Sequence, residues 1–211
     1  MDEEYNNRIR PYLDIMDKLR AYLKNSDIKV PVIVTCGMQS SGKSSTLESI
    51  THIQLPKGQN TVTLCPIIMQ LRNTKEKEFA RIKYESESED LFKNIELNEI
   101  ADEIMDYQNR LLQAEGLAED KKKLFDKPIQ VEINRNKAPN LTLIDLPGLT
   151  FSENIEKASK EICMKYITKP ETTVLLVLSG QDDVSNSYGI KLMRSIKDSK
   201  NRFVPIISKS D

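Results

Sequence analysis

The spacing of hydrophobic positions changes several times along the chain, and each change marks an element. Between Tyr5 and Lys24, apolar residues recur at Ile9, Leu13, Met16, Leu19 and Leu23. Steps of three and four predict one face of a helix. Tyr12, Ile15 and Tyr22 widen the stripe, and Pro11 falls in or near the first turn, where a missing amide is tolerated. Such a stripe must be buried. It packs either on the chain's own globular part or in a bundle with helices from further along a longer protein. After a turn at Asn25–Lys29, Val30–Cys36 is a short apolar run of the kind that forms a buried parallel strand. A glycine-containing loop and a helix over Ser44–Thr51 follow. Cys65–Arg72 and Phe79–Tyr84 predict an antiparallel pair. The charged stretch Glu85–Lys127 contains an amphipathic helix around Ile100, Ile104, Tyr107 and Leu111. Ile129–Asn134 and Asn140–Leu146 are two further strands. A helix over Ile155–Ile167 leads to Thr172–Ser179, a run apolar enough to be buried on both faces. A last helix, Ser187–Asp198, precedes a strand at Arg202–Ser208. Strands alternating with helices specify an α/β fold, with a mostly parallel central sheet and helices on both faces.

Composition narrows the function. The 211 residues carry 30% charged side chains but a formal net charge of −1. Charges of both signs are evenly mixed, so no nucleic-acid surface is expected. The three cysteines are widely spaced and no signal peptide is visible, which reads as a reducing, cytoplasmic setting. No apolar run approaches a membrane span, so contact with membranes is expected to be peripheral. His52 is the sole histidine, so neither a catalytic histidine relay nor a multi-histidine metal site has its partners. Cys36 and Cys65 fall in strand patterns and read as small core residues, and Glu85–Asp90 as a solvated acidic loop.

The chemistry starts at GMQSSGKSS, Gly37–Ser45. Gly37-x-x-x-x-Gly42-Lys43-Ser44 has the spacing of a phosphate loop, in the context such a loop needs: a buried strand before it and a helix after it. Inward-pointing amides, Ser41's among them, and a helix N-terminus favour phosphate oxygens. Lys43 is expected to neutralise β- and γ-phosphates and Ser44 to ligate Mg²⁺. DLPG (Asp145–Gly148) ends a strand. It offers Asp145 to the metal through water and the Gly148 amide to a γ-phosphate; a helix N-cap is the plainer alternative for Asp145. SKSD (Ser208–Asp211) completes the order of motifs. An aspartate there accepts hydrogen bonds from guanine N1–H and its exocyclic amine, so GTP is favoured over ATP. Ras-type GTPases follow the glycine of this loop with a glutamine that orients water; here Leu149 cannot. The remaining candidates for that task are Gln39-Ser40 in the phosphate loop and Thr63 in Leu55–Pro66. A threonine there can place its hydroxyl on Mg²⁺ and its carbonyl on water.

RIRPYLDIMDKLR, GMQSSGKSSTLESI, LPKGQNTVTLCPIIMQLR, NLTLIDLPGLT and SNSYGIKLM resemble the dynamin superfamily of large GTPases, and within it the Mx proteins. The resemblance runs from about Tyr5 to Asp211 and is weakest over Thr74–Phe125. It implies an N-terminal bundle helix (residues 1–25) and a P-loop GTPase domain (residues 26–211) whose sheet is incomplete at its C-terminus. It implies GTP hydrolysis completed when two such domains meet across their nucleotides. Gln39 and Thr63 then position the attacking water. Ser40, with backbone carbonyls near Gly58 and Asn60, holds K⁺ or Na⁺ in place of an arginine finger. Ser45 lies near the α-phosphate, Asp183 reaches toward the partner, and Lys209 and Asp211 read guanine. Oligomerisation and peripheral contact with membranes or microtubules are implied for a full-length protein. Three features depart from the family: Lys57 for arginine, Asn60 for glycine, and TFSENIEK after DLPGL. Asn60, that altered loop and Leu149 leave open a second function, a nucleotide-dependent assembly module with negligible hydrolysis.

Overall fold

The computed structural model describes residues 32–56, 63–84, 92–117, 123–138, 140–152, 155–181 and 187–209. The N-terminal stripe, Lys57, Gly58, Asn60, the acidic run, Asp183 and Asp211 lie outside the described residues.

Eight strands form one sheet: β1 (Val32–Cys36), β2 (Ile67–Asn73), β3 (Phe79–Tyr84), β4 (Lys93–Ile95), β5 (Ile129–Arg135), β6 (Leu141–Asp145), β7 (Thr172–Ser179) and β8 (Phe203–Ser208). Their spatial order is β4-β3-β5-β2-β6-β1-β7-β8. Four of the seven ladders are parallel, and three of those join β6, β1, β7 and β8. Among the described residues the α-helices are α1 (Lys43–Thr51), α2 (Ile100–Ala114), α3 (Glu156–Ile167) and α4 (Tyr188–Arg194). Alternation along the strands sorts them onto two faces. Leu143 and the inner residues of β2, β3 and β5 pack with Leu47 of α1 and Ile100, Ile104 and Tyr107 of α2. Val34, Ile144, Val174 and Leu176 face the other way, against Cys163 and Ile167 of α3 and Leu192 of α4. Stacked Tyr84 and Tyr107 rings, 3.8 Å apart, tie β3 to α2.

Two sequence expectations are corrected. β2 and β3 are not paired with each other, because β5 lies between them, parallel to β2 and antiparallel to β3. The alternating Ile129, Val131 and Ile133 are fully buried, so β5 occupies a central position with ladders on both edges. Residues 74–78 need only span about 10 Å, two strand spacings, to pass it. The helix expected over Ser187–Asp198 ends at Arg194. The Ser195 hydroxyl donates to the Leu192 carbonyl, a local bond that competes with helix continuation, and Asp198 turns left-handed at φ 60°.

Candidate functional site

The site lies at the C-terminal ends of β1 and β6, where the parallel half of the sheet meets α1. This is the crevice in which open α/β sheets present ligands. The loop after β1 curls through left-handed Ser40 (φ 61°) and Gly42 (φ 93°). Alternation of hand turns successive N–H groups to one side, an anion-accepting concavity. Gly42 is also the N-cap of α1 and leaves its first turn without a side-chain cap, so those amide donors are available to a ligand.

Asp145, at the end of β6, is fully buried and collects three hydroxyls. Thr35 donates to its Oδ1 at 2.9 Å, Ser44 to Oδ2 at 2.9 Å and Thr63 to Oδ2 at 3.4 Å. Asp145 caps no helix, since the next one begins at Glu156. Lys43 is buried beside it, with Nζ donating to the Met38 carbonyl at 3.0 Å. Burial raises the Asp145 pKa, against the opposing pull of Lys43 and the hydroxyls. Burial lowers that of Lys43, against the opposing pull of Asp145. Each ion is thus costly alone and supported by the other. Three oxygens from separate segments (Ser44, Thr63 and Asp145) converge, a donor set suited to a small hard cation. Gly148 packs directly against the loop beside them: a Cβ added there would stand 2.6 Å from Gln39 Cα and 3.0 Å from Lys43 Nζ. The residues present fit Mg²⁺ with a phosphorylated ligand.

Leu149 has a structural task in place of the water-orienting one. Its side chain is fully buried, and its backbone pairs with the phosphate loop. Gln39 N–H donates to Leu149 O at 2.7 Å, and Leu149 N–H to Gly37 O at 3.0 Å. Gln39 is thereby fixed at its main chain. Ser40 and Ser45 are exposed, and the Ser41 hydroxyl is buried with no hydrogen-bond partner among the described residues. At the far side, exposed Lys209 follows β8 in a left-handed conformation, φ 52°.

Four features escaped the sequence reading. Ser208, first residue of SKSD, donates its hydroxyl to the carbonyls of Ser41 and Leu178, joining that motif to the phosphate loop; its place in the motif was the available signal. Thr35 precedes the phosphate loop in an inward strand position, with nothing local to mark it. Gln108 interrupts the stripe Ile100–Ile104–Leu112 at the i+4 spacing of a helix face, and is 3% exposed. Cys36 and Cys163 are brought together although 127 positions separate their numbers. Their shared hydrogen bond pulls Cys36 below the usual thiol range and pushes Cys163 above it. Cys163 Sγ also lies 3.6 Å from the Pro147 carbonyl. Cys65 is a buried core residue, as expected, and burial pushes its thiol up to about 12. Among the described residues, no group of three or more His, Cys, Asp and Glu could hold a metal, and no helix is long and apolar enough to cross a membrane.

Residues 33–210 match the sequence profile of the Dynamin family. The chain is 32% identical over 219 residues to interferon-induced GTP-binding protein Mx2 of Ictalurus punctatus, an alignment covering 100% of this chain and 34% of that protein. Against interferon-induced GTP-binding protein Mx1 of Rattus norvegicus, identity is 33% over 219 residues, covering 99% of this chain and 32% of that protein. Against the MxC protein of Danio rerio it is 32% over 220 residues, covering 100% and 34%. The chain thus spans about a third of the length of the curated relatives it matches.

Proposed function

Because the chain belongs to the dynamin family, we propose that it binds guanine nucleotide and hydrolyses GTP to GDP and phosphate. The observation that carries this reading is the convergence of the Ser44 and Thr63 hydroxyls on buried Asp145, next to Lys43 and directly behind the phosphate loop. Ser44, Thr63 and Asp145 would hold Mg²⁺, which supplies charge neutralisation at the phosphates when bound. Lys43, the amides of Gly37–Ser44 and the Gly148 amide take the phosphate oxygens, with Ser45 near the α-phosphate. Lys209 and Asp211 take guanine. Gln39 and Thr63 orient the attacking water. Positioning and electrostatic stabilisation are most of what phosphoryl transfer asks of a protein.

Catalysis is completed, in this reading, when two such domains meet. Ser40, with the Gly58 and Asn60 backbone, holds K⁺ or Na⁺, and Asp183 braces the partner's Gln39 loop. In the full-length, cytoplasmic protein the cycle drives self-assembly and remodelling of a membrane or other target, reached peripherally. Buried Leu149 at the water-orienting position favours a second reading, a nucleotide-dependent assembly module with negligible hydrolysis. Titration with fluorescent GDP and GTP tests the shared part of both. Tight Mg²⁺-dependent binding that ATP fails to compete is expected, and Asp211→Asn shifts preference toward xanthine nucleotides. Equal competition by ATP contradicts a guanine site. Dimers of the intact protein with GDP and aluminium fluoride, lost in Asp183→Ala, separate the first reading from the second.

A further inference from the structure

We infer that Gln108 is a positioning residue: from α2 it clamps the main chain next to Thr63, and so sets where that threonine sits relative to Asp145. The inference rests on the function proposed above for Thr63. Leu64 is held from three directions. Its N–H donates to Gln108 Oε1 at 2.6 Å. Its carbonyl accepts from Phe125 N–H at 2.8 Å. Its side chain, 2% exposed, packs with Leu112, Leu124, Ile155 and Ile162. Thr63 is one peptide away, with its hydroxyl 3.4 Å from Asp145 Oδ2.

Gln108 is not needed to dock α2, since Ile100, Ile104 and Leu112 do that as fully buried apolar residues. An apolar residue at this position would serve packing as well or better. A buried glutamine persists in such a stripe at a cost unless its amide is used, and here its oxygen meets a main-chain N–H that has no strand or helix partner. Because adjacent Cα atoms are a fixed 3.8 Å apart, displacement of Leu64 is transmitted to Thr63. Misplacement of a reacting group by about 1 Å can cost on the order of 100-fold in rate. The charged region that carries α2 thereby acquires a role in the chemistry: it presets the C-terminal side of the Thr63 loop.

The test uses Gln108→Leu, Gln108→Glu and Thr63→Ala in the intact protein, with a Gln108→Leu/Thr63→Ala double variant. The readouts are amide exchange at Leu64, GDP affinity, and KM and kcat for GTP. Gln108→Leu should expose the Leu64 amide to exchange and lower kcat about 10–100-fold, the usual cost of losing a partner behind a ligating group. KM and GDP affinity should stay within about twofold of the unmutated protein, because the phosphate loop is untouched. Gln108→Glu, which keeps an acceptor at the same reach, should restore Leu64 protection more than Gln108→Leu does, at the stability cost of a buried carboxyl. The double variant should be no slower than Thr63→Ala alone, since the two act through one group. Should Gln108→Leu not fold, Gln108→Asn, one methylene short of Leu64, replaces it. Unchanged Leu64 exchange, losses that multiply in the double variant, or a parallel fall in GDP affinity would overturn the inference. Absence of GTP turnover in the unmutated protein would count against the proposed function instead, whereas an unprotected Leu64 amide there would overturn the clamp itself.

Discussion

The phosphate loop is braced on two sides, and the two braces are built differently. On the DLPG side the contact is extensive and buried: two main-chain hydrogen bonds with Leu149, the close approach of Gly148, the Lys43 ammonium on the Met38 carbonyl, and Asp145 with its hydroxyls. On the SKSD side, among the described residues, it is one hydroxyl, Ser208, spanning Ser41 and Leu178, with Lys209 exposed just beyond. On the proposed function, the difference separates two tasks. Charge developing at a phosphate must meet fixed groups in a water-poor setting, so that side is preorganised. Recognition of a base needs correct reach and hydrogen-bond sense, and one tether suffices to set the reach.

The largest break in this contrast comes from Lys43→Ala. Losing a charge-assisted contact costs about 1.5–3 kcal/mol, and here it also leaves Asp145 buried without its cation. Calorimetric titration should show GTP affinity falling by about one to two orders of magnitude, with turnover undetectable. Gly148→Ala tests the same side sterically. Its Cβ would stand 2.6 Å from Gln39 Cα, so the phosphate loop must shift, and kcat should fall about 100-fold while circular dichroism stays native. Ser208→Ala probes the other side. A neutral hydrogen bond contributes roughly 0.5–1.5 kcal/mol, so guanine nucleotide affinity should weaken about two- to tenfold, with kcat at saturation preserved. A loss from Ser208→Ala as large as from Lys43→Ala would erase the distinction.

The smallest effect concerns stability. Burial lowers the Lys43 pKa below 10.5, so the folded chain binds fewer protons there than the unfolded one. In that window folding stability rises with pH. The nucleotide-free protein should therefore gain stability relative to Lys43→Met as pH climbs from the lowered value toward 10.5, in denaturant titrations at successive pH values. A flat difference would mean that Lys43 ionises as it does in the unfolded chain.

What could be read from the sequence was local. Val30–Cys36, Gly37–Ser44 and Asp145–Gly148 carry their period or spacing within a few residues; a strand covers Val32–Cys36, and the two motifs sit at the ends of β1 and β6. Crossings of the chain were not legible. The insertion of β5 between β2 and β3 depends on which of several alternating strands wins two partners, and a short linker does not announce that. Likewise Gln108 near Leu64, Thr35 on Asp145, and Cys36 beside Cys163 are juxtapositions made by the sheet, with 44, 110 and 127 positions between the numbers of each pair. Leu149 was legible as an absence of glutamine; its backbone pairing with Gly37 and Gln39 was not.

Phosphate release by the intact protein, followed over a wide range of protein concentration with GTP or ATP, tests the central claim most directly. The account expects release from GTP with Mg²⁺, none above the Lys43→Ala background in chelator, little from ATP, and a rate per molecule that rises with concentration. GTP release indistinguishable from that of Lys43→Ala at every concentration, or equal release from ATP, would contradict it.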